Sequence, residues 1–163
     1  FADVVRGFCM AISGLPDWPW AGTVAEDLPP QEKLLLDAIR AWHGAARAGR
    51  PPLPAAAMIL ATEDASPAAP LLDALLRAAP IAAGCTFCPH VAPQEAALLL
   101  ACALAQRGAR SEALAALLRL LPLQAAYAAM PAAIHLGCAF RRAGLLLRHP
   151  IREAMRPRPT TRG

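Results

Sequence analysis

Residues 93–108 read PQEAALLLACALAQRG. Proline opens the stretch and Glu95 stands in its first turn, where the positive end of a helix dipole favours a carboxylate. Gly108 closes it, as glycine does just past a helix end. Between Glu95 and Gly108 lie only Ala, Leu, Cys, Gln and Arg107, with no β-branched residue and no aromatic. The spacing predicts a helix from Pro93 to Arg107. Outward from it, Ser111 to Leu121 reads as a second helix, N-capped by Ser111 and packing through Leu114, Leu117, Leu118 and Leu121. Leu123 to Ala143 reads as a third, bent at Pro131 and stopped at Gly144. The composition is 56% hydrophobic with 5% aromatic. A sheet would need Val, Ile, Thr and aromatic faces, so the fold class is all-α.

Upstream, Pro30 to Ala48 carries Leu35, Ile39, Trp42 and Ala46 at helical spacing and stops at Gly49 before Pro51-Pro52. Shorter helices are expected over Pro54 to Ala61 and Pro67 to Ala78, separated by a solvated turn at Thr62-Glu63-Asp64. Phe1 to Ser13 reads as a further short helix, ended by Gly14 and Pro16. Trp18 and Trp20 fall in a proline-rich loop expected to fold back as a lid. Pro80, Gly84 and Pro89 punctuate 79–92 as a loop. Residues 1–155 therefore read as a single helical domain with a candidate internal division near 79–92, and 156–163 as a disordered basic tail.

The helix ends at Gly108 and Gly144 superpose at an offset of 36 residues. Leu100-Ala101-Cys102-Ala103-Leu104 then falls on Leu136-Gly137-Cys138-Ala139-Phe140. Over residues 93–155 this pattern resembles tetratricopeptide repeats. Small residues fall at Ala101, Ala113 and Gly137, and large ones at Leu100, Leu104 and Phe140. The match departs at Pro122, at His149-Pro150 and in the lack of a third copy. The resemblance implies antiparallel hairpins stacked in the C-terminal half, the alternative being an irregular helical bundle. It also implies a protein-interaction module of scaffold or chaperone type, holding a peptide or helix on the hairpin surface, with no catalytic residue. Gln94, Leu98, Ala101, Gln106, Tyr127, Arg141 and Arg142 are the candidate binding residues.

The five cysteines are Cys9, Cys85, Cys88, Cys102 and Cys138. An odd number without a framework suits a reducing, cytoplasmic compartment. Cys102 and Cys138 read as small buried hydrophobes. Cys85-Thr86-Phe87-Cys88 is the sharper feature, because a tight turn can bring both thiols to one side. Zinc would need two more ligands, for which His135 and Cys138, three residues apart on one helix, are candidates. A dithiol redox pair is the other reading, although thioredoxin-like sites sit on a βαβ frame that this chain lacks. No cofactor is otherwise expected. No phosphate loop, paired-histidine motif or nucleophile elbow occurs, so no catalytic set assembles.

Arginine outnumbers lysine fifteen to one, a bias that points to a GC-rich, bacterial genome. The net charge of +4 is uneven: residues 1–140 carry nine basic and eleven acidic side chains, and 141–163 carry seven arginines and Glu153. The basic tail could touch nucleic acid, but it lacks interleaved aromatics and the body is slightly acidic, which argues against that partner. Leu120 to Phe140 is uncharged and long enough to span a bilayer, but its alanine content, Gln124, His135 and two prolines point to a buried helix instead. The chain starts at Phe1 and shows no signal-peptide layout, so a trimmed chain is expected and an upstream targeting peptide stays open.

Overall fold

The computed structural model describes residues 18–148, and the readings made for Phe1 to Ser13 and for 156–163 lie outside them. Among the described residues there are six α-helices and no strand. These are α1 (Pro30–Arg47), α2 (Pro52–Leu60), α3 (Ala69–Ala78), α4 (Pro93–Gln106), α5 (Arg110–Leu120) and α6 (Leu123–Arg142). The class is all-α, as the composition predicts.

Prolines start three of these six helices because the first helical turn has no use for the missing N–H. Pro30, Pro52 and Pro93 stand at helix starts. Pro52 brings α2 in two residues before the expected start. Three helices end on a glycine with positive φ, at Gly49 (68°), Gly108 (80°) and Gly144 (76°). In each, the residue after the glycine donates to a carbonyl five residues back: Arg50 to Ala45, Ala109 to Leu104 and Leu145 to Phe140, at 2.9–3.0 Å. This is the Schellman closure. Since α1 ends the same way, the match of Gly108 to Gly144 reflects how glycine caps a helix and does not by itself mark a repeat.

α4 is buried on every side, from Glu95 through Gln106. A helix apolar all round belongs at the centre of a domain. Around it α5 forms a hairpin, while α6 packs on α3, α4 and α5, and α1 packs mainly on α2. One apolar cluster joins Leu35, Leu36, Ile39, Leu60, Leu72 and Leu75 to Leu98, Leu99, Leu117 and Phe140. The loop at 79–92 therefore does not divide the core. α6 is long and apolar enough to cross a membrane; here it buries Ala126, Ala129, Ala133, Leu136, Gly137 and Phe140 against its neighbours. α4 and α6 approach so closely that a Cβ at Gly137 would lie 2.7 Å from the Cα of Gln106.

Local expectations are corrected at four residues. α5 starts at Arg110 without a side-chain cap, and the Ser111 hydroxyl instead donates to Glu112 Oε2 at 2.9 Å. Ala46, Leu118 and Cys138 are exposed. They sit at the margins of their helical stripes, where period alone does not say how wide the covered face is. Trp18 and Trp20 do pack against the core, and Arg119 stacks 4.2 Å from the Trp18 ring centroid.

Candidate functional site: a dithiol turn over a buried ion pair

Arg40 continues the apolar stripe of α1 one turn after Leu36, which carries a charge into the core. It is 1% exposed, and its partner Glu95, at the start of α4, is 0% exposed. The guanidinium meets the carboxylate in a fork, with Nε to Oε1 and Nη2 to Oε2 both at 2.9 Å. Such bidentate geometry makes a strong charge-assisted pair. The further hydrogen bonds of the pair go to the loop between α3 and α4. Arg40 Nη1 donates to the Cys88 carbonyl at 2.7 Å and Nη2 to the His90 carbonyl at 2.9 Å. Glu95 accepts from the backbone N–H of Gly84 and of Ala92, each at 2.9 Å. Burial pushes the Glu95 carboxyl up, but the Arg40 hydrogen bonds, the two N–H groups and the guanidinium charge outweigh it and hold Glu95 below its ordinary range.

The loop is also tied on its far side. Val24 and His90 form an antiparallel bridge, and the Ala25 N–H donates to the Pro89 carbonyl at 2.8 Å. Within this frame Cys85 to Cys88 close a turn, with the Cys88 N–H donating to the Cys85 carbonyl at 3.1 Å. The Cys85 N–H donates to Cys88 Sγ at 3.1 Å, and the two sulfurs lie 2.8 Å apart. Cys85 is exposed and Cys88 half-buried. The Cys88 thiol, then the backbone N–H of Phe87, hold the Cys85 thiol below its ordinary range; the Arg40 charge adds to this, and partial desolvation opposes it. Phe87, between the cysteines, is 92% exposed. Beside the turn a cleft of about 300 Å³ is lined by Val24, Glu26, Lys33, Asp37, Phe87 and Cys88, among others. Lys33 Nζ sits there 2.8 Å from Asp37 and 3.2 Å from Glu26.

The other predicted residues are dispersed. His135 and Cys138 are exposed on α6. Among the described residues no group of three or more His, Cys, Asp or Glu side chains is placed to hold a metal, so the set Cys85, Cys88, His135 and Cys138 is not brought together. Cys102 is buried, and burial pushes its thiol up to about 12. Leu98 and Ala101 are fully buried in α4, with no face open to a ligand. Gln94 accepts from the Ala82 N–H at 2.6 Å. Gln106, also buried, binds the chain itself: its amide donates to the Leu145 carbonyl and accepts from the Leu147 N–H, each at 2.8 Å. Arg141 donates to the Gln106 carbonyl. Arg142 lines a separate cleft with Asp64 and Leu71, and Tyr127 is exposed. The Arg40–Glu95 clamp escaped the sequence reading. Its one signal was a charged residue in an apolar helix face, which requires a buried partner but does not say which.

Comparison of the chain with family models, curated proteins and solved structures gives no match.

Proposed function

We propose that the protein exchanges thiols and disulfides through Cys85 and Cys88. The observation that carries this is the turn, which sets an exposed thiol 2.8 Å from a half-buried one. That separation is roughly 0.8 Å longer than a disulfide bond of about 2.05 Å. A tetrahedral zinc with ~2.3 Å bonds would hold two sulfurs roughly 3.8 Å apart, so the turn suits the disulfide better than the metal. An exposed Cys85 with a lowered pKa is the attacking group. Its thiolate attacks one sulfur of a target disulfide, the target S–S bond breaks, and the leaving thiolate takes a proton. Cys88 then loses its proton and attacks Cys85 Sγ, releasing the second target thiol and forming the Cys85–Cys88 disulfide. Two electrons have passed from the dithiol to the target. Chemistry of this kind depends on the site and needs no particular fold.

Equilibration in glutathione buffers of graded potential, read by intact mass, tests this. Expected is a two-proton mass loss mapping to Cys85–Cys88, and a trapped mixed disulfide in Cys88→Ser but not in Cys85→Ser. A dithiol that stays reduced in every buffer, or zinc bound at one equivalent that survives dialysis, would overturn it. A second reading is protein binding on the hairpin surface. Its support is Leu123 and Tyr127, one turn apart on α6 and 61% and 58% exposed. A partner that loses affinity on Tyr127→Ser would favour it.

A further inference from the structure

We infer that Arg40 and Glu95 are positioning residues that set how readily the Cys85–Cys88 pair is oxidised, an inference that rests on the dithiol reading above. A buried ion pair is a poor means of gaining stability, since well-packed apolar residues do as well or better. What apolar residues could not supply here is directional contact with a loop backbone. Glu95 ties the loop on either side of the dithiol turn, at Gly84 and Ala92, and Arg40 ties it between them, at Cys88 and His90. The two side chains project from α1 and α4, so the loop is referred to two helices of the core as well as to the segment at Val24 and Ala25.

The fit around the turn is close. A Cβ added at Gly84 would lie 3.3 Å from Cys88 Cβ, 3.3 Å from Glu95 Oε1 and 3.4 Å from Arg40 Nη2. Cys88 can therefore retreat little from Cys85, and its effective concentration at the first sulfur is high. A high effective concentration favours the disulfide, which lowers the reduction potential. Loosening the clamp lets the sulfurs separate and favours the dithiol.

The test measures the dithiol–disulfide equilibrium of the full chain against glutathione in the wild type, Arg40→Lys and Glu95→Gln. A single ammonium cannot reach both carbonyls and both carboxylate oxygens. Each variant should move the equilibrium about tenfold toward the dithiol, equal to ~30 mV for this two-electron couple. Gly84→Ala is the second route: it keeps both charged side chains but presses on Cys88, Glu95 and Arg40 together, and it should shift the equilibrium in the same direction. Asp73→Ala is the control. It removes the acceptor of Trp42 and Arg77 elsewhere on α1 and α3, so it disturbs packing but should leave the potential unchanged. Variants that stay within twofold of wild type, or a control that moves as far as they do, would overturn the clamp and leave the exchange reading standing. A wild type that forms no Cys85–Cys88 disulfide would end both.

Discussion

Replacing Glu95 with alanine tests the physical reading of the core most directly. The carboxylate is fully buried and accepts bonds from Arg40 Nε and Nη2 and from two backbone N–H groups. Its removal strands a guanidinium that is only 1% exposed. Breaking one side of a buried pair typically costs about 3–5 kcal/mol, most of it the uncompensated charge. For a chain of this size that corresponds to a fall in Tm on the order of 10 °C. The paired change Arg40→Met with Glu95→Leu removes the charge as well as its partner. Residues 84, 88, 90 and 92 are at least partly exposed, so water can reach their freed backbone groups. The double variant should therefore recover to within about 1–2 kcal/mol of wild type, a strongly non-additive cycle. Urea unfolding followed by circular dichroism at pH 7, with the slope checked for constancy, measures Glu95→Ala and the four corners of the cycle, which are wild type, Arg40→Met, Glu95→Leu and the double variant. A Glu95→Ala loss under about 1 kcal/mol, or a double variant that loses the sum of the singles, would refute the argument.

Gly137→Ala gains up to ~1 kcal/mol of helix propensity but forces the new Cβ against the Gln106 backbone where α4 meets α6. Overpacking of this kind costs about 1–3 kcal/mol, so a net loss on the order of 1 kcal/mol is expected in the same unfolding assay, and a stabilised variant would contradict the packing. Because the Glu95 pKa is lowered on folding, the pair's contribution is fully present above the unfolded value of about 4.3 and is lost as pH falls through the lower folded value. Glu95→Gln should therefore lose less stability than wild type between neutral pH and acid, measured as Tm against pH. In native protein at pH 7.5, iodoacetamide should label Cys85 ahead of Cys138 and leave Cys102 untouched until unfolding, read by peptide mass mapping. Early labelling of Cys102 would contradict its burial.

Helix content was legible because it rests on local physics. Prolines at first turns, glycines at Gly49, Gly108 and Gly144 and the Leu/Ala periodicity all act within a few residues of themselves, and the observed helices follow them closely. The turn at Cys85 to Cys88 was legible for the same reason. Period could not say how many neighbours a helix has. Leu98 and Ala101 looked like surface residues of a hairpin, and instead lie in a helix covered on all sides. Cys138 looked like a core residue, and instead faces out. The glycine echo across 36 residues suggested stacked copies, yet α1 shows that the same cap forms wherever a helix ends in this way.

By itself, then, the sequence determined that the chain is all-α, where its helices start and stop, and that two thiols share one short turn. Tertiary structure alone decided that Arg40 and Glu95, 55 residues apart, meet beneath that turn, and that Gln106 holds the segment at Leu145 and Leu147. The physical reason is one of range. Caps and turns are satisfied by near neighbours along the chain. A buried charge or amide must be satisfied by whatever group the packing of distant helices brings to it, and composition and period do not encode which group that will be.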